Sequence, residues 1–219
     1  MLKIRASSLG KIMAPAKKDG ELSAGAKTYI AELAKEHVYG FKREISSRAI
    51  EKGIIVEDDS IELYNSVFFT AHRKNEQRFE NEWLCGTPDI IDTPPNAAPT
   101  VIDIKSPWSL ATFPATQEDA VEPLYEWQLR AYMMLTGADS SVLAYCMVDT
   151  PEELIGFEPQ EMHVASHIQP ELRITTLVFA RDTEKEQAII ERVKLARDYY
   201  AACIDKIYLQ RGLKQDGIS

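Results

Sequence analysis

Two carboxylates and a lysine lie in segments whose composition is typical of β-strands. Asp89 ends a Gly-Thr-Pro-Asp run, and Asp103 and Lys105 follow in a Val-Ile-Asp-Ile-Lys run. Because strand side chains alternate between two faces, Asp103 and Lys105 share a face, whereas Ile102 and Ile104 point into a core. If the two runs pair as a hairpin, Asp89 joins them at one end of the sheet. Ionisable groups gathered on a half-buried sheet need a compensating charge. This set suits a hard divalent metal that holds a water ready to attack.

The elements that must position these residues follow from apolar periodicity and from the places of Gly and Pro. Gly40 and Gly137 each end a helical pattern, and a Pro-rich turn at 93–99 separates the first two strand patterns. The predicted helices are 7–13, 26–39, 46–68, 123–136 and 183–210, and the predicted strands are 82–91, 100–105, 141–148 and 172–179. This order predicts a single α/β domain over 1–219, with a sheet covered by helices.

A carboxylate interrupts the apolar stripe of the predicted helix 46–68. Ile50, Ile54, Glu57, Ile61 and Tyr64 follow the 4-3-4-3 spacing of a buried helical face. A carboxylate in such a stripe needs a partner. Two alternatives remain open: an ion pair with a buried Arg or Lys, or a role at a metal site formed with the Asp-x-Lys run.

A glutamine occupies a similar position in the predicted helix 123–136. Leu124, Gln128, Ala131 and Leu135 share one helical face, so the amide of Gln128 is expected to point inward. A buried amide must find hydrogen-bond partners. Those partners are either backbone groups or a metal-bound water and a substrate phosphate.

Composition narrows the class of protein only partly. The net charge of −9 at pH 7 weighs against nucleic acid as a partner, but the first 52 residues carry many Lys and Arg, so the charge evidence is close to neutral. The widely spaced Cys85, Cys146 and Cys203 weigh against structural zinc and fit a reducing cytosol. No apolar run approaches the length of a membrane span, and the simplest expected location is the cytoplasm.

Two further sets of side chains have competing interpretations. His163 and His167 are four residues apart and would chelate a metal if helical, although no third ligand is evident. Trp83, Trp108 and Trp127 are expected in the core, but Trp108 follows the Asp-x-Lys run closely and could instead stack on a base. The sequence contains no Walker loop and no G-x-G-x-x-G motif, so intrinsic ATP use is not expected.

Taken in order, these motifs resemble the PD-(D/E)xK nuclease superfamily, and within it the phage-type exonucleases of the lambda exonuclease and YqaJ kind. Asp103 stands where Glu is common, and the superfamily accepts this shorter acid. The resemblance implies a restriction-endonuclease-like core, with a central mixed β-sheet flanked by helices. The matching segments are Ile4–Lys11, Gly53-x-x-x-Glu57, Cys85–Asp89, Asp103–Pro107 and Tyr125-x-x-Gln128 followed by Met133-Met134.

The resemblance also implies a role for each matched polar residue. Lys105 would orient or deprotonate the attacking water, and Gln128 would steady the water or the phosphate. Asp89 would bridge or bind the metals, and Asp103 and the Ile104 carbonyl would complete the first site. Glu57 would support a second metal, directly or through water. The implied metal ligands are Glu57, Asp89, Asp103 and the carbonyl of Ile104.

The implied DNA contacts begin at the N-terminal segment. Ser7 would match the serine that contacts a terminal 5′-phosphate in the lambda-type enzymes. Those enzymes carry an arginine several residues before that serine, and the candidates to replace it are Lys3, Arg5 and Lys11. The whole expected DNA-binding set is Arg5, Ser7, Ser8, Lys11 and Trp108.

The implied activity is Mg²⁺-dependent, with Mn²⁺ able to replace Mg²⁺. It is the degradation of one strand of linear double-stranded DNA, 5′→3′, in phage-type recombination inside a bacterial host cell. The implied partners are DNA ends, further copies of the chain in a ring-shaped trimer, and a single-strand annealing protein. Two alternatives stay open: a structure-specific or restriction-like endonuclease of the same fold, and a non-catalytic DNA-binding or assembly module.

Overall fold

The computed structural model describes residues 1–18, 20–44 and 46–212. Residues 213–219 of the predicted single domain therefore lie outside the described residues. The helices are α1 (Leu9–Met13), α2 (Ala24–Tyr39), α3 (Arg48–Ile55), α4 (Glu57–Phe68), α5 (Pro123–Thr136), α6 (Glu152–Ile155) and α7 (Thr183–Leu209). The strands are β1 (Ile4–Arg5), β2 (Phe79–Glu80), β3 (Leu84–Gly86), β4 (Ile90–Asp92), β5 (Thr100–Lys105), β6 (Ser140–Cys146) and β7 (Ile174–Ala180).

The strands form two mixed sheets. The larger has the order β4-β5-β6-β7, in which β5 and β6 are parallel and the two outer strands are antiparallel to their neighbours. The smaller has the order β1-β3-β2, with β1 parallel to β3. Helix α5 connects β5 to β6, since parallel neighbours need a crossover connection. The predicted mixed α/β architecture is confirmed, although it is divided between two sheets.

The two faces of β5 meet different helices. On one face Ile102 and Ile104 pack in a buried cluster with Ile61 and Tyr64 of α4. On the other face Asp103 is fully buried and is hydrogen-bonded to a side chain of α5. The strand alternation predicted from the sequence is therefore confirmed, and it sets the carboxylate on the α5 side of the sheet.

The predicted strand 82–91 is two strands that belong to different sheets. β3 ends at Gly86, and β4 begins at Ile90. Pro88 lies between them and has no N–H to donate to a ladder. β4 pairs with β5 as the predicted hairpin, with Ile90 opposite Ile102. Asp89 consequently lies where the chain crosses from one sheet to the other, next to β5.

The predicted helix 46–68 is divided into α3 and α4. The prediction that one apolar stripe is buried along its whole length was wrong. Val56 leaves helical geometry, with φ −100° and ψ 16°, and separates α3 from α4. The two halves therefore do not bury one continuous face. Ile50 and Ile54 are 46% and 71% exposed, whereas Ile61 in α4 is buried as predicted.

Lys52, rather than the isoleucines, is the buried residue of α3. Its side chain is fully buried, and Nζ donates to the carbonyl oxygens of Pro107 at 2.6 Å and Val148 at 3.0 Å. Burial lowers the pKa of Lys52 to about 8. These carbonyls lie just beyond the ends of β5 and β6, so Lys52 attaches α3 to the edge of the larger sheet.

The remaining helices agree with the sequence pattern. α5 has the predicted bounds, and α2 and α7 lie within two residues of theirs. Gly40 and Gly137 end α2 and α5 in the left-handed region, with φ of 66° and 74°. Within the described ranges, no helix is long and apolar enough to cross a membrane.

Close packing at Gly86 generates a stability prediction. A Cβ at this position would lie 2.8 Å from the Tyr132 ring and 3.0 Å from the Ala6 Cβ. We expect Gly86→Ala to lower the free energy of unfolding by about 1–3 kcal/mol, because a crowded core must shift. Thermal or urea denaturation measures the change.

Gly25→Ala is the matched control for this substitution. A Cβ at Gly25 meets no atom within 4 Å, and the residue lies in α2. Alanine favours a helix more than glycine does, so this variant should be neutral or slightly more stable. Equal stability of the two variants would contradict the packing argument.

Candidate active site

A cleft of about 590 Å³ lies between α3, α5 and the edge of the larger sheet. It is lined by all five residues that the sequence predicted as catalytic, and also by Ile104 and Trp108. The five are Glu57, Asp89, Asp103, Lys105 and Gln128. The exposed Ile50 and Ile54 of α3 form part of its wall.

Asp89 is held against β5 through the backbone. Its Oδ2 accepts a hydrogen bond from the N–H of Ile104 at 2.7 Å. Burial and the neighbouring charge of Asp103 raise the pKa of Asp89 to about 7, although Lys105 and the Ile104 N–H act in the opposite direction. Without a divalent cation, this carboxyl group is therefore only partly ionised near neutral pH.

Asp103 has partners on two sides. Its Oδ1 accepts from Nε2 of Gln128 at 2.9 Å, and its Oδ2 lies 2.6 Å from Nζ of Lys105. Among the described residues, however, that Oδ2 has no hydrogen bond with normal angles, and it is buried. A buried carboxylate oxygen without a well-oriented donor is a place where a cation would be stabilised.

Lys105 remains an ammonium in this setting. Burial opposes its charged form, but the charges of Asp103 and Asp89 outweigh burial and raise its pKa. Nζ also lies 4.7 Å from the centre of the Tyr125 ring and 3.5 Å from Oε1 of Gln128. An ammonium held this firmly can orient a water or a phosphate, but it is poorly suited to remove a proton.

Gln128 is fixed by a second hydrogen bond. Its Nε2 lies 3.2 Å from the hydroxyl oxygen of Tyr132, which in turn donates to the carbonyl oxygen of Thr87 at 3.1 Å. The amide therefore points inward as predicted, and its partners are the Asp103 carboxylate and a tyrosine. This chain of bonds joins α5 to the turn that carries Asp89.

Glu57 has a lysine partner that is not buried. Its Oε2 accepts a 2.7 Å hydrogen bond from Nζ of Lys74, whose side chain is 44% exposed, against 22% for Glu57. The hydrogen bond with Glu57 raises the pKa of Lys74. Glu57 thus forms an ion pair, but its partner is an exposed lysine rather than the buried Arg or Lys of the sequence-based alternative.

The donors in the cleft fit a hard divalent cation. Carboxylate and carbonyl oxygens are the ligands that Mg²⁺ and Mn²⁺ prefer, and Oδ2 of Asp103 lacks a well-oriented donor. The described residues contain no group of three or more His, Cys, Asp or Glu side chains already arranged around one metal position. This agrees with the ammonium groups of Lys105 and Lys74, which lie against Asp103 and Glu57.

The predicted N-terminal DNA contacts lie outside this cleft. Arg5, Ser8 and Lys11 line a separate small groove with Tyr29, over whose ring Lys11 Nζ lies at 4.9 Å. Ser7 is exposed and lines neither space. Of the expected DNA-binding residues, Trp108 therefore lies at the cleft, whereas the N-terminal ones lie elsewhere.

Trp108 is a half-buried wall of the cleft with a fixed orientation. Its Nε1 donates to Glu158 at 3.0 Å, and its ring meets that of His163 edge-on at a centroid distance of 5.0 Å. Both nitrogens of His163 lie 3.2 Å from protein oxygens, namely those of Trp108, Thr150 and Glu158. His163 is thus occupied by structural bonds, and the alternative of a His163–His167 chelate does not describe this arrangement.

Several residues of the site were missed by sequence reasoning. Lys74 lies in an irregular segment without periodicity, so nothing in the sequence linked it to Glu57. Tyr125 faces Lys105, and Tyr132, which lies in a buried apolar cluster, also supports Gln128. Their spacing of three and four residues from Gln128 on one helix was the available signal.

Comparison with known proteins relates the fold to that of exonucleases. No protein-family model matches the chain, and no curated protein matches it. The phage-related exonuclease from Haemophilus somnus 129PT is 30% identical, with a TM-score of 0.87 over 94% of this chain and 96% of that chain. The alkaline exonuclease LHK-Exo from Laribacter hongkongensis is 17% identical, with a TM-score of 0.70 over 96% and 93%.

The mixed α/β fold is thus one that exonucleases use. Given the identity over nearly the full length of both chains, this chain belongs to the family of phage-related exonucleases. The resemblance to the lambda exonuclease and YqaJ type is confirmed, and the protein is a nuclease.

The raised pKa of Asp89 generates a pH-dependent prediction for the metal-free protein. The pKa is about 7 in the folded chain against an ordinary value of 3.8, so ionisation of Asp89 destabilises the fold increasingly as the pH rises through this interval. Asp89→Asn removes the charge and keeps an acceptor for the Ile104 N–H. We expect this variant to melt roughly 5 °C above the wild type at pH 8 in EDTA, with a smaller gain at pH 5.

Asp58→Asn is the control, because Asp58 is an exposed carboxylate one residue from Glu57. It should change the melting temperature by little at either pH. An increase in melting temperature for Asp89→Asn that is equal at pH 5 and pH 8 would contradict the conclusion that ionised Asp89 destabilises the fold.

Proposed function

We propose that the protein is a divalent-metal-dependent exodeoxyribonuclease. It removes nucleotides from one strand of linear double-stranded DNA, 5′→3′, and uses Mg²⁺, with Mn²⁺ able to replace it. The observation that carries this proposal is the pair of half-buried Asp89 and fully buried Asp103 beside Lys105, in a cleft open to solvent. These groups are costly to bury together unless a cation and a phosphate share the space.

Membership of this family supports exonuclease activity rather than the hydrolysis of another kind of bond. The relative from Haemophilus somnus is a phage-related exonuclease. LHK-Exo, which shares the fold, has been crystallised with dAMP, a deoxyribonucleoside monophosphate. Such a product is what stepwise hydrolysis of a DNA strand releases.

Each residue of the cleft has a task in this reaction. Asp89, Asp103 and the carbonyl of Ile104 would hold a first metal, and Glu57 would support a second. When bound, the metal supplies an acidified water and neutralises charge on the phosphate and on the leaving oxygen. Gln128 keeps the carboxylate of Asp103 in place through its 2.9 Å bond.

Lys105 acts by position and charge. Its ammonium, held near Asp103 and Gln128, is placed to donate to the attacking water or to a phosphate oxygen. Because its pKa is raised, the proton lost by the water must go to another acceptor, such as bulk solvent. Tyr125 covers one side of the ammonium and limits its movement.

The wider setting of the reaction follows from the family resemblance. We propose that the protein forms a single domain and acts in phage-type recombination in the cytoplasm of a bacterial host. It would assemble as a trimer and supply single-stranded DNA to an annealing protein. Arg5, Ser7, Ser8 and Lys11 would contact the DNA end, and Trp108 would contact DNA near the cleft.

Linear duplexes test the reaction directly. The substrates carry 5′-phosphate, 5′-hydroxyl or recessed ends and are incubated in Mg²⁺ and in EDTA. Mononucleotides should be released only with the metal, and at each duplex end only from the strand whose 5′ terminus lies there. Closed-circular DNA of the same sequence should remain intact. Cutting of the circle would replace this proposal with the endonuclease of the same fold.

Lys105→Ala and Asp103→Asn should each lower the rate of Mg²⁺-dependent hydrolysis by about a hundredfold or more, because each removes a group next to the reacting phosphate. Single-turnover release of nucleotides from an end-labelled duplex measures the rate. Lys206→Ala, which removes an exposed lysine of α7, is the charge-matched control and should keep wild-type activity. Undiminished hydrolysis by Lys105→Ala would reject the catalytic assignment.

A further inference from the structure

A lysine ammonium of the protein is already bound to one of the carboxylates at the cleft. Nζ of Lys74 is 2.7 Å from Oε2 of Glu57, and its ammonium also lies within the electrostatic reach of Asp58 and Asp89. The ammonium thus neutralises a carboxylate that the sequence analysis assigned to a metal site.

The segment that carries Lys74 is attached at its start to α4. We call residues 70–78 the strap. Oδ1 of Asn65 accepts from the N–H of His72 at 2.9 Å and from Oγ1 of Thr70 at 2.8 Å, and Nδ2 of Asn65 donates to the carbonyl of His72 at 2.9 Å. One asparagine side chain therefore binds the strap by three hydrogen bonds.

The strap is attached again immediately after Lys74. The N–H of Asn75 donates to the carbonyl of Asp89 at 2.7 Å, and Nδ2 of Asn75 donates to the carbonyl of Pro88 at 2.9 Å. The backbone next to Lys74 is therefore bound to the backbone of the predicted metal ligand. Because the strap is bound on both sides of Lys74, the fold itself holds the Lys74 ammonium next to Glu57.

We infer that Lys74 is an internal counter-cation of Glu57, which holds the carboxylate when no metal is bound and must leave it when a divalent cation binds there. Lys74 is then a positioning residue that sets the affinity of the second metal position. This inference rests on the proposed function, since it presumes that a divalent cation enters the cleft.

The physical basis is competition for one carboxylate. A divalent cation that approaches Glu57 must displace an ammonium at 2.7 Å. The free energy of the lost ion pair therefore weakens metal binding by the same amount. Lys74 is 44% exposed, and its long side chain can turn into solvent or toward an incoming phosphate. The displaced charge then remains near the cleft, where DNA phosphates would gather.

Mn²⁺ binding to the DNA-free protein tests the inference by isothermal titration calorimetry in 0.3 M NaCl, where the Debye length is roughly 6 Å. We expect Lys74→Gln to lower the Kd of the weaker Mn²⁺ position by about two- to fivefold, the range set by one partly exposed ion pair. Arg73→Gln is the matched control. It removes the same charge from the exposed neighbouring position of the strap and should leave this Kd nearly unchanged.

A double-substitution cycle isolates the pair. In a Glu57→Gln protein, Lys74→Gln should no longer change Mn²⁺ affinity, because the shared carboxylate is gone. Equal shifts for Lys74→Gln and Arg73→Gln, or an undiminished Lys74→Gln effect in the Glu57→Gln protein, would overturn the inference. Saturable Mn²⁺ binding with an unchanged Kd in Lys74→Gln would reject it while leaving the proposed function intact. A wild-type protein that binds no Mn²⁺ would reject both.

Discussion

The rest of this site depends on the burial of one carboxylate. Asp103 is fully buried within β5, and only a few groups compensate its charge. The amide of Gln128 and the ammonium of Lys105 approach it from the α5 side, and Asp89 adds a second negative charge nearby. Burial and the charge of Asp103 together raise the pKa of Asp89 to about 7.

The surrounding elements hold this charge cluster by polar anchors as well as by apolar packing. Tyr132 joins α5 to the turn before Asp89, and the absence of a side chain at Gly86 lets its ring approach that turn. Across the cleft, Lys52 attaches α3 to carbonyls beyond β5 and β6. The carbonyl of Trp108 accepts from Thr150 and lies near both Lys52 and His163, so the wall after β5 is equally constrained. Such anchors keep a solvent-open cleft in one shape.

Two lysines neutralise the cleft in different ways. Lys105 belongs to the strand itself, is largely buried and is bound to the reacting groups, so its charge is permanent in the site. Lys74 comes from the strap and is partly exposed, so it can move away. Under the proposed function, a fixed ammonium and a displaceable one would let the same cleft remain stable without metal and bind metal and phosphate together.

The local sequence determined much of this molecule. The alternation in β5, the bounds of α5 and the ordered motifs that relate the chain to phage-type exonucleases all depend on neighbours within a few residues, and these predictions were confirmed. The break at Val56, the exposure of Ile50 and Ile54 and the burial of Lys52 were not predictable in this way, because a helical stripe does not reveal which face will find a partner. The pairing of Glu57 with Lys74 likewise required the strap to fold back across 17 residues onto the backbone of Asp89. Charges far apart in the chain interact only after packing has brought them together, and that step belongs to the tertiary structure.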